Sequence, residues 1–303
     1  MGVTATSVVR ASDGVRLHVE VDQCDAPVTV LYSHGFTAQL GEFLLQREAL
    51  TGRARQVFYD QRGHGLSDTT HYEHATMEQL GRDLQAVLES TCPTSPVVLL
   101  GHSMGGMALM AWARQFPEEL GSRVVGAFLL ATSAGGLVTE GPLGWTVRQL
   151  IRLRLLAVYL WLLRLVAPVI TRLRKPGTRL GYRWVRHYLF GTDDVGDVEV
   201  VKQVQAMLEA TPFTSSAAFY PSFISYDETA ALPLLARIPT TVLCGTADRL
   251  TPLSHNQHLA RELGSTMVEV PGCGHSVNVT RPEVVNAAIL DLLARVAPER
   301  AVG

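Results

Sequence analysis

A serine between closely spaced glycines is the first candidate for chemistry in this chain, in the stretch GHSMGG from Gly101 to Gly106. Four apolar residues, Val97 to Leu100, precede the stretch, and an apolar pattern of helical period follows it. A sharp strand-to-helix turn pushes a serine hydroxyl out of a sheet, and glycine two positions away on each side avoids the collisions that such a turn causes. The pattern therefore predicts that Ser103 is a nucleophile at the start of a helix.

A serine hydroxyl is a weak nucleophile, so it needs a base and an acid that orients the base. His275, in GCGHS, follows the last predicted strand, and Asp248, in GTADRLTP, follows the strand before it. The carboxyl ends of parallel strands meet at one edge of a sheet, where open α/β folds assemble their sites. We therefore predict a catalytic triad of Ser103, Asp248 and His275. Asp227, in SYDET, is the alternative acid.

The elements that must position these residues follow from the apolar pattern. Short apolar runs alternate with helical segments, which predicts an α/β fold with a mostly parallel, doubly wound sheet. An Asp13–Gly14 turn predicts a hairpin near the start of the chain. The alternation stops where a long apolar stretch of helical period begins. We therefore predict an α/β core of residues 1–133 and 237–303, with an inserted helical cap of residues 134–236.

Four segments together carry a family resemblance: SHGFT, YDQRGHGLSD, GHSMGG, and GTADRLTP followed by GCGHS. With them, the chain resembles the α/β-hydrolase fold superfamily, in the branch of esterases, lipases, thioesterases and cofactor-free haloperoxidases. The resemblance implies an oxyanion hole formed by the backbone N–H groups of Phe36 and Met104, with Thr37 assisting. It also implies that the insertion covers the active site and that Asp60 and Arg62 brace loops.

The predicted function is that of a serine hydrolase. It would cleave an ester or thioester with a hydrophobic acyl or polyketide-like part through an acyl-enzyme at Ser103, without a metal or cofactor. The alternative is acyl transfer, elimination or cyclisation of a biosynthetic intermediate at the same site. A third hypothesis is a non-catalytic ligand-binding receptor on this fold. An aspartate in place of Ser103 would have indicated an epoxide hydrolase or a dehalogenase.

The charge of the predicted cap is one-sided. From Gly141 to Thr192 the sequence has no Asp or Glu but ten Arg or Lys, although the net charge of the chain is only −2. Three explanations stay open: a solvated arginine face, an anionic membrane surface, or binding of the CoA phosphates or of an acidic carrier protein. The apolar segment Leu155–Ile170 is interrupted by Arg164 and Pro168 and is short for a membrane span.

The cysteines, the lysines and most histidines give no sign of a second reactive site. Four scattered cysteines without a C-x-x-C pair, and a first segment without an apolar signal run, predict a cytoplasmic protein with reduced thiols. Only two of the 26 basic residues are lysines, which is typical of a GC-rich bacterium. His64, His71 and His74 lack a carboxylate or cysteine at a zinc-site interval, so we predict surface-loop histidines. His102 is predicted to pack, and no aromatic-basic platform for nucleic acid is present.

Overall fold

The computed structural model describes residues 4–137, 144–191 and 198–297. These residues fold around one eight-stranded sheet. The strands are β1 (Thr4–Arg10), β2 (Arg16–Asp22), β3 (Thr29–Ser33), β4 (Arg55–Tyr59), β5 (Val97–His102), β6 (Val124–Leu130), β7 (Thr240–Gly245) and β8 (Thr266–Val270). Their order is β1-β2-β4-β3-β5-β6-β7-β8. The β1–β2 and β2–β4 pairs are antiparallel, and the other pairs are parallel. The predicted mostly parallel sheet and its first hairpin are confirmed.

Helices cover both faces of this sheet. Those of the core are α1 (Leu44–Ala49), α2 (Met77–Thr91) and α3 (Met104–Gln115), and, near the end of the chain, α9 (Leu232–Leu235), α10 (Leu253–Leu263), α11 (Val277–Thr280) and α12 (Pro282–Val296). Apolar side chains of α2, α3, α9 and α10 pack on one face, and those of α11 and α12 pack on the other. Because both faces are covered, every residue of β3, β5 and β7 is buried.

In the part of the insertion between β6 and β7 that the structure describes, five helices have defined bounds. They are α4 (Gly144–Arg152), α5 (Leu156–Leu173), α6 (Arg179–Leu189), α7 (Val198–Ala210) and α8 (Phe213–Ile224). Helices α6 and α7 have a small core of their own, in which Val185, Leu189 and Val201 are buried. Leu232 and Leu235 of α9 pack with the core of the sheet, although the predicted cap extends to residue 236.

The end of helix α6 contacts the loop after β8 directly. The backbone N–H of Ser276 donates a hydrogen bond of 2.8 Å to the carbonyl oxygen of Leu189. Gly191 and Gly274 bring their backbones so close together that a Cβ atom at either position would overlap the other segment. The insertion is therefore joined to the core at the loop that contains His275.

Candidate active site

Ser103 lies on a strained turn between strand β5 and helix α3. Its φ of 51° and ψ of −116° are unfavourable for a residue with a side chain. A Cβ atom at Gly105 would overlap the carbonyl group of Ser33 on the neighbouring strand β3, so only glycine fits there. The strain and the close packing together hold Ser103 at the carboxyl edge of the sheet.

Asp248 and His275 are in direct contact at the same edge. The Nδ1 atom of His275 lies 2.7 Å from Oδ2 of Asp248, and both side chains are buried. The Asp248 carboxylate also accepts hydrogen bonds from the backbone N–H groups of Leu250 (2.8 Å) and Thr251 (3.0 Å) and from the Thr251 hydroxyl (2.8 Å). Because a carboxylate can only accept, Nδ1 carries the proton and Nε2 of His275 is left as a base.

The alternative acid has a different environment. Asp227 is exposed, and its Oδ1 accepts hydrogen bonds from the backbone N–H (3.0 Å) and the hydroxyl (2.7 Å) of Thr229. Both bonds stabilise the short 3₁₀ turn Thr229–Ala231. Of the two predicted acids, the structure brings only Asp248 to His275.

A cavity of about 380 Å³ connects the predicted site residues. Ser103, His275 and Phe36 line its floor at the edge of the sheet, and helices of the insertion form its walls. The larger wall side chains are Trp184, Tyr188, Val204, Met207, Tyr220 and Phe223. Phe223 also packs against Phe36, with 4.9 Å between the ring centroids. The site is therefore a mostly apolar chamber between the core and the helical insertion, which we call the cap.

Of the predicted oxyanion donors, Met104 directly follows Ser103 in the chain, and Phe36 lines the same cavity as Ser103. Met104 is the first residue of α3, so its N–H has no partner within the helix and lies at the positive end of the helix dipole. Phe36 lies in the loop after β3. The further donor considered from the sequence, Thr37, has a backbone N–H that donates to Nε2 of His64 at 3.1 Å, so this N–H is already bonded. Phe36 and Met104 stay the predicted pair.

A model of the alpha/beta hydrolase family matches residues 30–288 of this chain. The chain belongs to the alpha/beta hydrolase family. The predicted resemblance and fold class are thus confirmed.

Similar proteins have been named as hydrolases of several kinds. The chain is 27% identical to a protein provisionally named carbamate hydrolase RutD from Caulobacter sp. (strain K31), over 93% of this chain and 96% of the relative. It is 26% identical to 3-oxoadipate enol-lactonase 1 of Acinetobacter baylyi, over 89% and 90%. Among solved structures, an esterase of Thermogutta terrifontis is similar with a TM-score of 0.76 and 25% identity, over 97% and 100%. These names support an enzyme of the hydrolase class.

His64 of this alpha/beta hydrolase is not where the sequence placed it. The prediction of a surface-loop residue is wrong, because His64 is 1% exposed. Its Nδ1–H donates to the carbonyl oxygen of Arg62 at 2.9 Å, and its Nε2 accepts the N–H of Thr37. Burial lowers the pKa of His64 to about 3, so the ring is neutral and can accept. His71 and His74 are exposed as predicted, and the described residues contain no cluster suited to a metal ion.

The buried His64 predicts a pH dependence of stability. Its pKa of about 3 in the folded protein lies below the ordinary histidine value of 6.5, so its contribution to stability is present at neutral pH and is lost as the pH falls. Between about pH 7.5 and about pH 5.5, we expect the wild type to lose about 1 kcal/mol more unfolding free energy than His64→Asn. Urea unfolding at both pH values measures this difference. Equal pH slopes for the two proteins would contradict it.

A buried carboxylate beside the nucleophile was not found from the sequence. Glu42 accepts hydrogen bonds from Nδ1 of His102 (2.9 Å) and from the backbone N–H of Gly35 (2.8 Å). The Nε2 atom of His102 lies 3.1 Å from the carbonyl oxygen of His275. Since both neighbours of the ring are acceptors, His102 must be protonated on both nitrogens. His102 therefore does more than pack: through Glu42 it links the loop after β3 to the loop of His275.

The pKa values of this pair agree with an ion pair. Burial, the largest single effect, would lower the pKa of His102, but the charge and hydrogen bond of Glu42, together with the smaller effects of the His275 carbonyl group and of Asp248, outweigh it, so the pKa is raised. Burial is also the largest effect on Glu42 and would raise its pKa, but the charge and hydrogen bond of His102, with the N–H of Gly35 and the charge of His34, together lower it. Each group is therefore kept charged by the other in a buried position.

Breaking this pair should destabilise the fold. Glu42→Gln leaves the His102 imidazolium buried without a counter-charge, and we expect a loss of about 3 kcal/mol in unfolding free energy. Urea unfolding near pH 7 measures the loss. The double variant Glu42→Gln/His102→Gln removes both charges and should lose less than the sum of the two single variants. A Glu42→Gln protein as stable as the wild type would refute the ion pair.

Asp60 and Arg62 occupy the bracing positions that the resemblance implies. The Arg62 side chain is fully buried and forms ion pairs with Asp13 (2.7 Å) and Asp83 (2.6 Å). Asp60 accepts the backbone N–H groups of Leu40 and Leu66, each at 2.8 Å. These bonds tie the first hairpin, helix α2 and the loop before α1 together beneath the site.

Proposed function

We propose that this alpha/beta hydrolase is a serine hydrolase that cleaves an ester or thioester with a hydrophobic acyl part. One observation carries the proposal. His275, held by Asp248 so that Nε2 is a free base, lines the same apolar chamber as Ser103 on its strained turn. That combination supplies an activated alcohol and a binding site for an apolar chain in one place.

The mechanism follows from these positions. In the first half-reaction the hydroxyl oxygen of Ser103 attacks the substrate carbonyl carbon while Nε2 of His275 takes the hydroxyl proton. The backbone N–H groups of Phe36 and Met104 donate to the oxygen that becomes negative. His275 then returns the proton to the leaving alcohol or thiol, and the acyl group stays on Ser103. In the second half-reaction Nε2 of His275 takes a proton from a water molecule, whose oxygen attacks the acyl carbon. The bond from that carbon to the Ser103 oxygen then breaks, His275 returns the proton to this oxygen, and the carboxylic acid leaves.

The substrate class is supported by the walls of the chamber. Its volume of about 380 Å³ is close to the lower limit for small-molecule sites, and its larger side chains are mostly apolar or aromatic. A compact hydrophobic acyl group fits such a chamber better than a charged one, because a charged group would lose its hydration there. The esterase and the enol-lactonase among the similar proteins also support an ester-type bond.

Two measurements test the proposal. A fluorophosphonate probe should give a covalent adduct on Ser103, which mass spectrometry of the labelled peptide locates. A series of p-nitrophenyl esters and acyl-CoA thioesters of increasing chain length should show a rate maximum at the length that fills the chamber. Absence of the adduct would reject the serine nucleophile. An adduct without turnover of any ester or thioester would instead favour acyl transfer, elimination or cyclisation.

A further inference from the structure

The outer side of helix α5 is an apolar surface that the described residues of the chain leave exposed. Exposed apolar residues recur on this helix at intervals of three or four, so they share one face. They are Val158, Trp161, Leu162, Leu165, Val169 and Leu173. We call this set the α5 outer face. Trp161 is 61% exposed and Leu173 is 70% exposed, which is far from the usual state of large apolar residues in a soluble domain.

Neighbouring parts of the cap extend this exposed apolar area along the chain. Trp145 on α4 and Leu180 on α6 are 67% and 78% exposed, and the link between α4 and α5 exposes Leu153 and Leu155. The segments before and after α5 therefore also expose large apolar side chains. Most of the large exposed apolar residues of the described chain therefore lie in this one segment.

The opposite side of α5 is fixed to the protein. Ala167 is buried, the Tyr159 ring lies 6.3 Å from the Tyr220 ring of α8, and the Thr171 hydroxyl accepts the N–H of Thr214 at 3.2 Å. Of the described helices, only α5 is long and apolar enough to cross a membrane, judged by length and composition. A helix that packs against α8 at several points along its length cannot be surrounded by lipid. It can present one face only, in the plane of a membrane surface.

Basic residues accompany the apolar face. The segment between Gly141 and Thr192 has ten Arg or Lys and no acidic residue. Exposed members on α4, α5, α6 and their links are Arg148, Arg152, Arg154, Arg164, Arg172, Lys175, Arg179, Arg183 and Arg186. An apolar stripe with cationic residues around it is the pattern of helices that bind anionic lipid surfaces. A second copy of this chain would instead bring like charges together.

We propose that the cap docks on an anionic lipid membrane through the α5 outer face, with the surrounding arginines on the lipid phosphates. Docking explains the apolar exposure and the one-sided charge by a single contact. Trp184 adds a functional consequence, because it is 48% exposed and also lines the active-site chamber. The chamber thus reaches the surface on the cap, where a membrane-dissolved ester would enter. This last step rests on the proposed function, whereas docking itself does not.

Vesicle sedimentation tests the docking. The full chain should sediment with vesicles of equal parts phosphatidylcholine and phosphatidylglycerol and stay in solution with pure phosphatidylcholine. Raising NaCl from about 0.05 M to about 0.5 M should release it, because salt screens the contact. Brominated lipid should quench the exposed tryptophans, while the buried Trp112 keeps its emission. No sedimentation with the anionic vesicles, or a dimer in solution that shields these tryptophans, would overturn the proposal.

Matched variants separate docking from general surface effects. The triple change of Arg152, Arg172 and Arg179 to Gln should lower vesicle partitioning on the order of a hundredfold. Changing Arg10, Arg53 and Arg261 to Gln removes the same charge from exposed positions outside the cap, and partitioning should stay within about twofold of wild type. Equal losses in the two triple variants would overturn the proposal.

A double substitution of apolar residues tests the apolar part of the α5 outer face. Trp161→Ser/Leu165→Ser should lower partitioning about a hundredfold or more, because two large side chains no longer enter the lipid. Val8→Ser/Leu66→Ser is the control, since both residues are exposed outside the cap. Fluorophosphonate labelling of Ser103 should be equal in all these variants, so a failure of docking and a failure of the proposed chemistry give different results. Partitioning that depends equally on both pairs would refute a specific docking face.

Discussion

Ser103→Ala is expected to lower kcat/KM for any ester that the enzyme accepts by at least about four orders of magnitude. The change removes the only atom that can form the acyl-enzyme, while the binding chamber and the oxyanion donors remain. The backbone should tolerate alanine, because serine already occupies the strained conformation with a Cβ atom. Steady-state rates, with the fold checked by circular dichroism, measure the effect.

A second serine in the same chamber provides the control for this variant. Ser276 also lines the cavity and follows His275 directly. Ser276→Ala should keep kcat/KM within about tenfold of wild type, since no step of the mechanism uses its hydroxyl. More than about one per cent residual activity in Ser103→Ala would show that Ser103 is not the nucleophile.

Asp248→Asn is expected to lower kcat by about 10³ to 10⁴ at neutral pH, with little change in the fold. An amide at this position no longer requires a proton on Nδ1 of His275, so the ring can take the tautomer that carries its proton on Nε2. In that tautomer Nε2 cannot act as a base toward Ser103. The Thr251 and Leu250 donors would keep the side chain in place through the remaining oxygen. The pH–rate profile and kcat for one ester measure the loss.

Asp227→Asn is the matched change at the alternative acid. Asp227 is exposed and contacts only its own turn among the described hydrogen bonds, so kcat should stay within about twofold. An opposite ranking of the two variants would move the acid to the earlier loop and would require His275 to change its position.

Much of the fold and of the site could be predicted because the signals are local. Gly101 and Gly105 identify the turn at Ser103 from six consecutive residues, and Asp248 directly follows a buried strand. Once the strands are known to be parallel, their carboxyl ends must lie at one edge, which brings Asp248 and His275 together without any knowledge of the helices.

The rest depends on contacts between residues that are distant in sequence. His64 is buried and accepts a hydrogen bond from Thr37 in the loop after β3, 27 positions earlier, and Glu42 contacts His102 across 60 positions. A histidine in a polar, glycine-rich stretch gives no sign of such burial. The pattern of α5 also could not distinguish its buried side from its exposed side, because apolar residues occur all around this helix.

The contact between helix α6 and the loop of His275 restricts how the chamber can open. Leu189 and Gly191 hold the segment that contains the imidazole. A rigid rotation of α6 away from the core would therefore move the imidazole of His275 away from Ser103. The imidazole of His275 is therefore in position only while the end of α6 stays packed against its loop. Substrate must then enter without displacing the end of α6 from the loop of His275, at the surface beside Trp184, where a side chain of the chamber wall is already exposed.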